Sequence, residues 1–228
     1  MKTLKRSGRA RRVLTRCLLE TLATGVLAAG AAAAEAAVLE VTPVGAETLA
    51  EDVGAKAKAV KAVTKVERYL LIKTQPHDII GLEPGADLRV VVPDGTVVEA
   101  KLESGKQLRK EDDGKSVAII GNKVYAEDYG YRGGTGRMAT MKHLLEAGQT
   151  FKLTGEAGPR IRVLGTFSAK TESAVEKVFL PLSTAQKLFN RPGQVSHLFV
   201  AVEGDPETAV KELQSALGSG VQVRVISR

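Results

Sequence analysis

The sequence predicts an α+β fold: a mixed αβ subdomain made of N- and C-terminal strand-helix-strand units, with an inserted β-rich subdomain, after an N-terminal hydrophobic helix. Three observations carry this. Similar strand-helix-strand patterns occupy the first and last parts of the body. The stretch between them is short apolar runs separated by glycine and proline turns. Val175–Val202 then reads as the joint that returns the chain from the middle to the last unit.

Leu39–Val41 reads as a strand ending near Pro43. Glu47–Lys61 reads as a helix, because Leu49, Val53, Ala57 and Val60 recur at spacings of three and four. Val63–Lys73 is the partner strand. At the other end, Ser196–Glu203 is a strand. Asp205 and Pro206 form a helix start, as N-cap and first helical residue, with Val210, Leu213 and Leu217 on one face of Thr208–Leu217. Gly218-Ser219-Gly220 ends that helix before a strand over Val221–Ile226.

The middle has Pro84-Gly85, Pro93-Asp94-Gly95 and Gly155-Glu156-Ala157-Gly158 as turns. Strands are expected over Leu88–Val92, Thr96–Leu102, Ser116–Ile120, Phe151–Thr154 and Ile161–Phe167. Asn122–Asp128 and Met138–Glu146 read as short helices. Tyr129–Met141, with four glycines, reads as the least structured part and a mobile loop. In the joint, Val178–Leu182 is apolar, Ser183–Phe189 is a short helix with Ser183 or Thr184 as N-cap, and Pro192-Gly193 turns the chain. The domain boundaries expected are 1–38 for a basic arm with a membrane anchor or signal segment, and 39–228 for the body. Within the body, 39–74 plus 195–228 form the αβ subdomain and 75–194 the insertion.

The net charge of +7 suggests nucleic acid until it is located. Lys2, Lys5, Arg6, Arg9, Arg11, Arg12 and Arg16 hold the whole excess, leaving 26 Lys+Arg against 26 Asp+Glu. The basic pI therefore describes an arm and not a binding face, so no nucleic-acid partner is expected. Aromatics at 4% and no Trp also argue against base stacking. After the arm, Thr21–Ala34 carries no charge over about 14 residues, short of the roughly 20 that span a bilayer. A transmembrane anchor oriented by the basic arm, a signal peptide with small residues around Ala31–Ala37, and an Ala-rich soluble helix are the alternatives. The first two place the body outside the cytoplasm.

No catalytic, cofactor or metal site is expected. Gly133-Gly134-Thr135-Gly136 lacks the lysine and hydroxyl residue of a phosphate loop. His77, His143 and His197 are far apart and have no partner at metal-ligand spacing. Glu111-Asp112-Asp113 lacks a calcium-loop pattern. Cys17 stands alone, so no intrachain disulfide can form. No serine sits in a nucleophile elbow, and no nucleophile, base and oxyanion donor assemble. The chain is thus read as a non-enzyme, with Tyr129, Tyr131, Arg132 and Arg137 of the glycine-rich loop as candidate partner-contact residues.

Several of these stretches resemble one family. Val178-Phe179-Leu180-Pro181-Leu182-Ser183-Thr184-Ala185-Gln186, followed by Leu188-Phe189 and Val195-Ser196, is similar to a joint of the MacB-like periplasmic core domain of FtsX-type ABC transporter permeases. Ser116–Gly121 with Ala126 resembles its valine-isoleucine-glycine element. Leu144–Phe151 resembles its glycine-aspartate-threonine turn, with Gln149 in the aspartate place. Arg162–Phe167 resembles the strand that follows. The resemblance implies a domain between the first and second membrane helices of a permease, with a separate cytoplasmic ABC ATPase and membrane permease subunits as partners, and a homodimeric assembly. It implies a non-catalytic role at the cell membrane, coupling a transport or mechanotransmission complex to an outside partner or substrate. The sequence stops at Arg228, where a second membrane helix is expected. A truncated permease, a split-gene product and a stand-alone relative are the readings of that departure. The alternative function is a secreted or periplasmic binding module released by signal cleavage.

Overall fold

A computed structural model of the chain describes residues 36–50, 52–131, 138–153 and 158–227, with the backbone alone for 127–131 and 138–141. The anchor or signal segment expected over 1–38 lies, up to residue 35, outside the described residues. Among those described, no helix is long and apolar enough to cross a membrane.

The flanking units form as their patterns predict. β1 (Ala37–Pro43), α1 (Val53–Lys58) and β2 (Val63–Ile72) make the first. β12 (His197–Val202), α3 (Pro206–Leu217) and β13 (Val221–Ser227) make the last. They interleave rather than stand side by side. The strand order is β13-β1-β12-β2, every neighbour antiparallel, so each unit's two strands are separated by one strand of the other. This is the split β-α-β arrangement. Neither unit can complete its sheet alone, which makes the two flanking units interdependent.

α1 is shorter than the periodicity over 47–61 suggests. Leu49 is drawn into a bridge with Val195, its N–H donating to the Val195 carbonyl at 2.7 Å, and the helix starts only after Asp52. α3 matches its expected start: the Asp205 carboxylate accepts from the Thr208 N–H at 2.9 Å, and Pro206 opens the helix. Leu39, Val41, Leu70, Ile72, Leu198, Val200 and Val202 turn toward α1 and α3 and form one core with Val53, Ala57, Ala209 and Leu213.

The same sheet continues through β3 (Ile79–Leu82), β11 (Val178–Pro181), β6 (Val117–Gly121), β10 (Arg160–Ala169), β5 (Val97–Gly105) and β4 (Arg89–Val91), with β9 (Thr150–Lys152) pairing β10. β3–β11 and β6–β10 are parallel pairs. Phe167, Phe179, Ile119, Leu82 and Phe199 build a second core on the face away from α1 and α3. α2 (Leu182–Leu188) sits close on β3, because Gly81 leaves room: a Cβ there would lie 2.6 Å from the Ala185 Cβ.

Three local expectations need correction. Asn122–Asp128 and Met138–Glu146 are not helices. After a turn at Asn122-Lys123, β7 (Tyr125–Tyr131) pairs antiparallel with β8 (Met138–Leu144) as a separate two-stranded sheet. Cross-strand pairing over seven registered positions outweighs the helix propensity of Met, Lys, Leu and Glu. For the same reason Tyr129–Met141 is not a loop throughout: Tyr129–Tyr131 and Met138–Met141 are paired strand, and positions 132–137 lie outside the described residues. Neither Ser183 nor Thr184 caps α2. Pro181 holds the N-cap place, while Ser183 Oγ donates to Asp113 at 2.5 Å and Thr184 Oγ1 to the Lys115 carbonyl at 2.9 Å. Their hydroxyls tie the joint to the β6 approach instead.

Two substitutions separate a local from a global constraint. Asp205→Ala removes one cap and should cost about 1 kcal/mol. At Gly121 an added Cβ would lie 2.0 Å from the Val175 carbonyl oxygen, a backbone atom that cannot swing aside. Gly121→Ala should therefore cost more, about 2–3 kcal/mol, read as the shift in urea unfolding free energy. Equal losses would contradict the close-approach account.

Candidate partner-binding surface

The register sets which ends of the sheet meet. Val38 pairs with Ser227 and Ala37 with Val202, so the start of β1 and the finish of β13 lie side by side. At the other end, Ile79 stands between Ile72 and Val178, and Val178 pairs with Ile120. β6 runs toward that far end, and the β7–β8 hairpin leaves from it. Its root is fixed by buried Val124 and Leu145, whose N–H donates to the Val124 carbonyl at 3.2 Å. His77, in the β2–β3 loop, holds Tyr125: its Nε2 lies 3.2 Å from the Tyr125 carbonyl, and the rings meet edge-on at 4.8 Å. Lys142 lies 4.3 Å from the Tyr125 ring centre and donates to its hydroxyl at 3.1 Å.

Tyr129 and Tyr131 are thus strand residues of β7, two and four places beyond Glu127, in register with Thr140 and Met138. Strand alternation puts positions 125, 129 and 131 on one side of the ribbon. The chain has four tyrosines, and three of them fall at these positions. Arg132 and Arg137 lie outside the described residues. The period-two tyrosines were the available signal for the hairpin.

A second cluster was not legible in sequence. Across β13, β1, β12 and β2 the register aligns Arg224, Glu40, Phe199 and Glu67 in one row. This row faces away from α1 and α3 and is covered by the segment leading into β4. Glu67 and Arg89 pair with side chains only 4% and 8% exposed. Glu67 also accepts from the Asp87 N–H at 3.1 Å and from Lys65 at 2.5 Å, and the Tyr69 hydroxyl bonds the Asp87 carbonyl. The Arg89 guanidinium lies 5.4 Å from the Phe199 ring centre. Arg224 joins Glu40 to the Gly95 carbonyl of the β4–β5 turn. These residues stand at alternate strand positions that read as a solvent face; only the fold of the insertion shows they are covered.

Ser196, His197 and Glu40 superficially suggest a hydrolase relay. Ser196 Oγ lies 2.8 Å from His197 Nδ1, and His197 Nε2 lies 3.8 Å from Glu40 Oε1. Ser196 is buried, however, and its oxygen accepts from the Leu71 N–H at 2.8 Å. A hydroxyl held against a neighbouring strand offers no nucleophile to a substrate. Among the described residues no group of three or more His, Cys, Asp or Glu side chains could hold a metal.

The profile of the MacB-like periplasmic core domain matches residues 20–219. The chain belongs to this family. It is a periplasmic domain of the MacB and FtsX-like ABC transporter permease class, and its α+β sheet is that of solved relatives. The extracellular domain of the noncanonic ABC-type transporter YknZ from Gram-positive bacteria superimposes with a TM-score of 0.54 at 17% identity, over 82% of this chain and 99% of that one. The periplasmic region of MacB from Actinobacillus actinomycetemcomitans gives 0.50 at 12% identity, over 84% and 90%. No curated protein sequence matches the chain.

His197, whose Nε2 lies 3.8 Å from Glu40 of the covered row, makes the stability of this MacB-like domain depend on acid. Burial first, then the Arg224 charge, push the His197 pKa down to about 4. The unfolded imidazole titrates near 6.5. Between those values the unfolded chain takes up a proton that the folded one refuses, so stability falls as pH drops through that window. Glu40 acts in the opposite sense: burial raises its pKa more than the Arg224 hydrogen bond and charge lower it, so its ionised form weakens the fold. His197→Gln should lose less stability than the parent between pH 7 and pH 5, by about 2 kcal/mol, measured by urea unfolding at both values. Parallel losses would contradict a buried neutral imidazole. Arg89→Met, which leaves the buried Glu67 with only the half-exposed Lys65 as counter-charge, should cost about 3 kcal/mol, and adding Glu67→Gln should recover part of it.

Proposed function

We propose that the chain is the extracytoplasmic part of an ABC transporter permease-like protein, non-catalytic, coupling a membrane transport or mechanotransmission complex to an outside partner or substrate. The observation that carries this reading is the arrangement of the sheet: both ends of the described chain emerge together at one end, and the tyrosine-bearing hairpin leaves from the other. A body attached to a membrane through the residues before 38 would then present β7 and β8 away from its attachment. Residues 39–74 and 195–228 form the attached half, and 75–194 the half that carries the contact. The hairpin meets the partner through Tyr129, Tyr131, Arg132 and Arg137. Tyrosine and arginine suit such a contact, since they combine large area with hydrogen bonding and dominate binding energy where interfaces have been scanned. A separate cytoplasmic ABC ATPase and membrane permease subunits supply the driving force, and the assembly is a homodimer.

A photo-crosslinking residue placed at position 131 should yield a covalent adduct with a transporter or export component in intact cells, and the same residue at position 222 on β13 should not. Tyr129→Ala and Arg132→Ala should each weaken that contact by on the order of 1–2 kcal/mol without changing the thermal midpoint. Intact full-length protein in carbonate-washed membranes is expected. A soluble species beginning near residue 36 would remove the membrane attachment and favour a released binding module.

A further inference from the structure

β2 is ten residues long, yet β3 accompanies only Tyr69–Ile72. Past Leu82 the chain turns away at Pro84-Gly85, where Gly85 takes a φ of +88°. β11, the next strand over, also leaves the sheet there and becomes α2. The two departures vacate a strand position between the early part of β2 and the start of α2. A groove of about 670 Å³ occupies it, with Lys65, Val66, Arg68, Lys110, Ser183 and Gln186 among its walls.

The main chain of β2 is prepared for a neighbour in that groove. Glu83 takes the first place: its N–H donates to the Arg68 carbonyl at 3.4 Å, and its carboxylate accepts from the Arg68 N–H at 3.2 Å. Successive residues of a strand aim their N–H and C=O groups at opposite sides. Val66, two residues before Arg68, therefore aims both groups into the groove, and among the described residues neither has a partner there. A free strand edge selects for an extended segment, because a helix satisfies its own main chain. Charge on the walls is nearly settled internally. Lys65 pairs with Glu67 at 2.5 Å, and Arg68 with Glu83 at 2.6 Å. Two further charges line the groove: Asp113, whose carboxylate accepts from the Ser183 hydroxyl, and Lys110, which has neither an ion pair nor a side-chain hydrogen bond among the described residues and so is the charge left for a ligand to answer.

We propose that this groove is a strand-addition site, in which an extended peptide segment of a partner protein lies along β2, exchanges main-chain hydrogen bonds with Val66, and sets an acidic side chain against Lys110. The site lies at the end of the sheet where β1 begins and β13 finishes, since Val63 pairs with Val202 and Val202 with Ala37. It is therefore separate from the hairpin at the opposite end, and either contact can fail without the other.

The test uses peptides selected on the full chain in detergent from a random displayed dodecapeptide library, then made with blocked ends. Selected peptides should alternate and carry Asp or Glu. Their binding should slow deuterium uptake over residues 63–68, and Lys110→Glu should weaken it by about tenfold while leaving the thermal midpoint in place. Twins N-methylated at alternate amides keep every side chain but lose main-chain donors, and should not bind. Four results would each overturn the proposal: a selection without binders, binders that leave 63–68 unprotected, N-methylated twins that bind as tightly as their parents, or affinity unchanged by Lys110→Glu.

Discussion

Glu67 is a carboxylate with a side chain 4% exposed, and such a group persists inside a fold only where its charge is answered on all sides. Arg89, Lys65 and the Asp87 N–H answer it, and all but Lys65 come from the segment that follows β3. The pairing therefore does more than offset its own desolvation. It dictates where the inserted segment lies on the flanking sheet. An apolar contact of equal area would tolerate sliding. Hydrogen bonds to two oxygens of one carboxylate, with the guanidinium also over Phe199, admit one placement. Arg224 repeats the device on β13, joining buried Glu40 to the Gly95 carbonyl.

The interleaved strand order gives that placement mechanical meaning. A pull on β1 or β13 cannot be taken up by one strand-helix-strand unit, because β12 and β1 each sit between strands of the other unit. The continuous sheet passes from β2 through β3 and β11 to β6, whose far end roots the hairpin. From the paired start of β1 and finish of β13, a continuous covalent and hydrogen-bonded path through the sheet reaches Val124 and Tyr125.

What could be read from sequence follows from what each signal depends on. The helix start at Asp205-Pro206 was legible because capping is local chemistry. So were Leu198, Val200 and Val202, whose alternation records one buried face. The split order of the four flanking strands was not, since period-two patterns do not name a strand's neighbour. β7 and β8 were not legible as strands, because the glycines between them read as a loop and their pairing over seven positions is a contact that local patterns do not record. Ser183 and Thr184 had the chemistry of caps, but the approach of Asp113 and Lys115 redirected their hydroxyls. Of the candidate contact residues, the tyrosines now have positions on a strand. The charged row on Glu40, Glu67 and Arg224 was hidden, because polar residues on an alternating strand look solvated until something covers them.

The coverage also separates the two proposed contact surfaces physically. Strand addition beside Val66 asks only for a vacant edge, and that vacancy exists because β3 is shorter than β2 and turns at a glycine that tolerates positive φ. Lengthening β3 by two residues would close the edge and bury the Val66 main chain. Sheet proteins ordinarily blunt such edges with charge or cover. Here Lys65 and Arg68 flank the edge, but each is held by a carboxylate of its own, so neither guards it. An edge left open by the path of the chain, with the cations of β2 itself already engaged, is suited to accepting a strand rather than to repelling one.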